Sequence, residues 1–141
     1  MTIPTPLQKN LRLPAIAAPM FLASGPDLVV ETCRAGVIGT FPALNARTTD
    51  ELRQWLTEIE TRLAEGPPAA TYGVNLIVHK TNTRLEADLA EIIRHRVPLV
   101  ITSLGAVSDI VDAIHSYGGL VFHDVISRRH SEKAAEARVD G

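Results

Sequence analysis

Five short clusters carry the side chains of this chain that could do chemistry: Ala18-Pro19-Met20, Thr40-Phe41-Pro42, Gly73-Val74-Asn75, Thr102-Ser103-Leu104-Gly105 and Phe122-His123-Asp124. Together they offer an amide, small hydroxyls, a thioether and one imidazole. Such a set can hydrogen-bond a planar heterocycle and pack against its face, and it holds no concentrated charge. Each cluster ends an apolar run and precedes an amphipathic or helix-starting segment. The carboxyl ends of parallel strands would bring all five to one place.

The elements that must do this positioning follow from pattern. Residues 14–20 (PAIAAPM) read as the first strand, then Ser24 as a helix cap and Pro26 in the first turn of a helix over 26–34. Residues 36–41 are strand two and 42–48 a long loop. In the next helix Leu52, Leu56, Ile59 and Leu63 share one face, and Gly66-Pro67-Pro68 ends it. Strand three covers 71–78, and Asn82 or Thr83 with Glu86 forms a capping box for a helix whose stripe is Leu85, Leu89 and Ile92 or Ile93. Strand four covers 98–102 with Ser103-Leu104-Gly105 as its turn. Val107, Ile110, Val111 and Ile114 give the fourth helix its apolar face, closed by Tyr117-Gly118-Gly119. Strand five covers 120–126, a fifth helix covers 130–138, and Val139-Asp140-Gly141 leads to no further element. Residues 1–13 are a lead-in whose apolar side chains could plug the bottom of a core.

Almost wholly apolar strands separated by single helices belong in a parallel sheet covered by helices. The fold class is therefore α/β, either an open doubly wound sheet or an arc of a (β/α)8 barrel. A receiver-type phosphorylation domain would need acidic residues after strand one and an aspartate ending strand three, where this chain has Met20 and Asn75. A dinucleotide fold would need G-x-G-x-x-G where Ala23-Ser24-Gly25 stands.

Composition narrows the function classes. The 141 residues are 45% hydrophobic, enough for one domain with a real core. A net charge of −2, from 14 basic and 16 acidic residues, suggests neither a nucleic-acid groove nor a polybasic membrane patch. Cys33 stands alone, so no intramolecular disulfide forms, and its ordinary role is a small apolar residue inside the first helix. With no export signal and no apolar run long enough for a bilayer, the expected compartment is the cytoplasm. His79, His95, His115 and His130 fall on loops or helix ends, and no pair has metal-ligand spacing.

Four segments taken in order carry a resemblance: Ala17-Ala18-Pro19-Met20, Gly73-Val74-Asn75-Leu76-Ile77, Pro98 through Gly105, and Phe122-His123-Asp124. From about residue 10 to residue 141 the chain resembles the nitronate monooxygenase family, formerly called 2-nitropropane dioxygenases. The resemblance implies the first five units of a TIM-type (β/α)8 barrel, so that residues 1–141 form the N-terminal portion of an FMN-binding barrel. It also implies oxidation of alkyl nitronates, or nitroalkanes, with O2 to a carbonyl compound and nitrite. Carried over, the backbone around Ala18, Pro19 and Met20 would lie along the isoalloxazine ring, Asn75 would hydrogen-bond the flavin or its ribityl chain, and Ser103 and His123 would line the same mouth.

Each of these residues also has a plainer role: Asn75 as a turn-forming amide, His123 as a satisfied core histidine, Met20 as core filler. Asp124 stands where some family members have lysine. Arg138 stands where relatives tend to have glycine, in a left-handed position that costs a non-glycine residue roughly 1 kcal/mol. In the family the catalytic histidine and the phosphate-binding loops belong to strands six to eight, so the catalytic residues are expected beyond Gly141. An NAD(P)H-dependent flavin oxidoreductase on the same scaffold is a close variant. So is a non-catalytic part-barrel whose open strand edges pair with a complementary segment or a second copy.

Overall fold

In the computed structural model, which describes residues 3–105 and 108–141, five strands make one parallel sheet in the order in which they occur along the chain. The strands are β1 (Ile16–Ala17), β2 (Ile38–Pro42), β3 (Tyr72–Ile77), β4 (Leu99–Ser103) and β5 (Leu120–His123). A short helix α1 (Thr5–Gln8) precedes them, and α2 (Pro26–Arg34), α3 (Thr49–Glu65), α4 (Leu85–Arg94), α5 (Ser108–His115) and α6 (Arg128–Glu136) follow them one by one. A doubly wound sheet reverses its direction of growth at a switch point. This sheet never does. Right-handed crossovers that always advance one strand in the same direction put every crossover helix on one side, which is the geometry of a barrel arc.

Strand periodicity then separates two layers. Phe41, Tyr72, Val74, Leu76, Val100 and Val121 point outward and pack with Val29, Val30, Leu52, Leu56, Ile59, Ile92, Ile110 and Ile114 of the helices. The alternate positions point inward, where Leu7 of α1 packs on Ile38 and Leu99, with Leu11, Ile16, Ile101, Leu120 and Phe122 around them. The lead-in is thus a plug at the bottom of the arc, as its apolar content suggests. No helix among the described residues is long and apolar enough to cross a membrane.

Several local expectations are corrected. β1 keeps only two paired residues of the seven in 14–20, because the residues after Ala17 leave the sheet to form a loop. Ser24 does not cap α2: Gly25 holds that position, and the buried Ser24 hydroxyl accepts from the Met20 N–H instead. The capping box at Asn82 or Thr83 with Glu86 does not form. α4 starts after Arg84, and Asn82 makes a turn, donating to the Ile77 carbonyl and accepting from the Arg84 N–H. The working cap lies at Thr48, whose Oγ accepts from the Glu51 N–H while Glu51 accepts from the Arg47 N–H. The fifth helix runs over Arg128–Glu136 rather than 130–138, and Arg138 follows it at φ 65, the left-handed position that the resemblance implies. Val107 lies outside the described residues. The last two residues do not lead nowhere: the Asp140 N–H donates to the Val121 carbonyl and the His123 N–H donates to the Gly141 carbonyl, along the outer edge of β5.

The layers meet closely at two points. α2 crosses β2 over Gly39, where a Cβ would lie 2.6 Å from the Val29 carbonyl oxygen and 3.1 Å from Cys33 Sγ. Cys33 is fully buried, its Sγ donating to the Thr71 carbonyl, and burial pushes the thiol up from an ordinary value near 9.0 to about 11. On the far side, Glu60 of α3 accepts from the Tyr72 hydroxyl at 2.9 Å and lies 3.0 Å from His95 Nδ1, tying α3 to β3 and α4.

Two outcomes follow from this packing. Gly39→Val is expected to lower stability by about 2 kcal/mol or more, because the added branches must displace helix backbone; urea denaturation reads it. Cys33 should resist thiol reagents until the chain unfolds. Its folded-state value lies above its unfolded one, so its contribution to stability is full below pH 9 and is lost as the pH rises through about 11. A Cys33→Ala variant should lose that part of the alkaline slope in denaturation midpoints measured across this window.

Candidate functional site

The arc gathers the five chemistry-bearing clusters at the carboxyl ends of its strands, and strand parity decides which of their side chains enter the mouth. Asn75, Ser103 and Asp124 belong to the inward series of β3, β4 and the residue just after β5. They form a hydrogen-bonded chain. Asn75 Nδ2 donates to the Ile101 carbonyl at 2.9 Å and to Ser103 Oγ at 2.7 Å, and Ser103 Oγ donates to Asp124 Oδ2 at 2.6 Å. Asn75 and Ser103 are buried. Asn75 spends both amide protons, one of them on the Ile101 carbonyl, and Ser103 its only one, so the side-chain bonds run from Asn75 through Ser103 to Asp124. The groups left over are acceptors: Asn75 Oδ1, which has no partner among the described residues, and Asp124 Oδ1.

The cluster Ala18-Pro19-Met20 follows β1, at the end of the same row of strands, with β2 between β1 and β3. Thr40 Oγ1 donates to the Ala17 carbonyl and fixes where β1 ends. The chain then turns through 20–24 under the control of Asn45, which sequence reasoning left inside the 42–48 loop. Asn45 Nδ2 donates to the Met20 carbonyl at 3.0 Å and to the Ser24 carbonyl at 2.8 Å, and Asn45 Oδ1 accepts from the Leu22 N–H at 3.0 Å. The loop is held although Leu22 sits at φ 63. Since the Met20 N–H is bonded to Ser24 Oγ, Met20 offers a ligand its 48% exposed side chain rather than its amide.

Arg84 is the second determinant that the sequence pattern did not mark. Its guanidinium donates to the Ala46 carbonyl at 2.7 Å, reaches the Ala43 carbonyl, and pairs with the fully buried Asp88, which also accepts from Thr49 Oγ1 at 2.6 Å. This pair fixes the 43–48 segment and therefore Asn45. The signal available in sequence was only an i, i+4 Arg84–Asp88 spacing, common on helix surfaces.

His123 is not brought into the mouth with Asn75 and Ser103. It follows Val121 on the outward face, its Nδ1 lies 2.8 Å from Thr102 Oγ1, and it borders α6 beside Ser131, Ala134 and Ala135. A one-residue step along a strand moves a side chain to the opposite face, which is why the adjacent Asp124 faces inward instead. Among the described residues no group of three or more His, Cys, Asp or Glu could hold a metal ion.

The chain matches no family model and no curated protein. It is similar in structure to FabK from Thermotoga maritima, with a TM-score of 0.81 and 21% sequence identity, covering 96% of this chain and 40% of that one. An M276A mutant of the same protein is matched equally well, with 42% of its chain covered. The chain therefore spans about two fifths of the FabK chains it matches. A likeness at this identity shows the fold: five parallel (β/α) units corresponding to the N-terminal part of a TIM barrel.

Asn45→Ala should loosen the 20–24 loop while leaving the sheet intact. Amide hydrogen exchange at Leu22 should accelerate at least about tenfold, equivalent to loss of about 1.4 kcal/mol of local protection, with strand amides unaffected.

Proposed function

We propose that residues 1–141 form the N-terminal, flavin-facing part of an FMN-dependent oxidoreductase barrel, and that its reaction is the oxidation of alkyl nitronates with O2 to a carbonyl compound and nitrite. The observation that carries this reading is the hydrogen-bonded mouth built by Asn75, Ser103 and Asp124. Two support it: the strand-end segments resembling nitronate monooxygenases, and the barrel-arc fold shared with FabK.

The residues present fit the ring of FMN better than its phosphate. The two open acceptors suit a heterocycle edge that carries an N–H. The exposed Met20 side chain suits one ring face. The strand-end clusters hold no lysine or arginine and so offer no cation for a phosphate. When bound, FMN would supply the redox chemistry and the reaction with O2. The chain's own residues would then orient and seal. Asn75 Oδ1 would accept from the ring edge, with the Ile101 carbonyl and Ser103 holding the amide in that sense, and Pro19 and Met20 would exclude water from one face. Asp124 repels an anion, so a nitronate head would have to lie away from β5, on the open side of the arc.

The same scaffold also suits a second reading, in which the mouth serves an NAD(P)H-dependent flavin reductase. In either case the inward faces of β1 and β5 call for a covering partner. We propose a complementary barrel segment, with self-association of this chain as the alternative.

Titration of the chain with FMN and with riboflavin, followed by flavin fluorescence, tests the reading. The two should bind weakly and within about threefold of each other, since the contacts are to the ring, and Asn75→Ala should weaken both about tenfold. Absence of any binding, or affinity that depends on the phosphate, would sink it. With the complement present, anaerobic bleaching of the flavin by propyl-2-nitronate but not NADH selects nitronate oxidation; the reverse selects the reductase.

A further inference from the structure

Next to the mouth, a cavity of about 380 Å³ opens between the end of β4, the end of β5 and the first two turns of α6. Its chemistry is divided. His130 and Lys133, three residues apart on α6 and therefore on one face of that helix, line one wall, with His123 of β5 beside them. Leu104 and Ile126, 71% and 91% exposed, form an apolar lip, and Leu104 is held there at φ 63, a backbone region that leucine rarely adopts. Lys133 has no acidic partner within salt-bridge distance among the described residues, although Glu132 and Glu136 are close in sequence. Asp124 also borders the cavity, with one oxygen taken by Ser103. Neither Asn75 nor Ser103 lines it, so it adjoins the candidate flavin mouth and shares only Asp124 with it.

We infer that this cavity binds an amphiphile with a single anionic head, an alkyl carboxylate being the simplest, with the head on Lys133 and His130 and the tail along Leu104 and Ile126. The carboxylate of Asp124 drives the anionic end toward α6, and the N-terminal turn of α6, capped by Ser127 on the His130 N–H, adds a favourable dipole. The volume falls within the range usual for small-molecule sites. The outward placement of His123 belongs to this cavity.

Isothermal titration of the full chain with octanoate, octylammonium and acetate tests the inference. Octanoate should bind in the millimolar range or tighter, with octylammonium and acetate each at least about tenfold weaker. Lys133→Ala and, separately, Ile126→Ser should each weaken octanoate about tenfold, with the thermal midpoint of each variant confirming that the fold is kept. No octanoate binding, equal binding of octylammonium or acetate, or indifference to both substitutions would overturn it. The titration is run without FMN and reads Lys133 and Ile126, which lie outside the mouth, so its failure is distinguishable from a failure of flavin binding.

Discussion

A parallel sheet has to bury both faces, because its strands are apolar on both, and here one chain covers the two faces by different means. The outer face is closed by five helices whose apolar stripes reach essentially complete burial at Val30, Leu52, Leu56, Ile59, Ile92 and Ile114. The inner face has only the short helix α1 and the segment after it. Leu7, Ile38 and Leu99 are buried at the bottom of the arc, while Ile16, Ile101 and Phe122 around them are only partly covered. At roughly 25 cal/mol per Å² of apolar surface, completing that face would add several kcal/mol. The unfilled inner face is therefore a driving force for association, and the mouth lies at its upper rim.

Polar groups on the inner series are tolerated only because they satisfy one another. A buried amide or hydroxyl without a partner costs about 1–3 kcal/mol, so Asn75 and Ser103 would weaken the sheet if they stood alone. Their bonds to the Ile101 carbonyl, to each other and to Asp124 remove that penalty and leave accepting atoms open to the mouth. The directional character of the mouth thus comes from proton count: two amide protons and one hydroxyl proton are all used inside the chain. The neighbouring loop is organised by the same economy, with Asn45 satisfying three backbone groups of residues 20–24 and Arg84 satisfying the backbone that carries Asn45.

Much of this was legible in the residues. Apolar runs and helical stripes located all five (β/α) units, and the helices over 26–34 and after Thr48 came out close to their observed extents, because burial on a face is repeated every few residues and survives errors at single positions. Ends were less legible. Ser24, Asn82 and Thr48 are all good caps by type, yet only Thr48 caps a helix. The hydroxyl of Ser24 and the amide of Asn82 found nearer backbone partners once the loops closed. His123 shows the same limit within a strand: its identity pointed to chemistry, while its parity, set by which of the alternating residues meets the helices, placed it on the outer side.

By itself the sequence determined the class of fold, the number of units and the clustering of chemistry at strand ends, since these depend on composition and period along a single chain. Tertiary structure decided between an open sheet and a barrel arc, because strand order is a relation among segments distant in sequence. It also decided that Asn75, Ser103 and Asp124 form one unit while His123 does not. Three strands must lie side by side in register before an amide on β3 can reach a hydroxyl on β4, and that hydroxyl a carboxylate after β5.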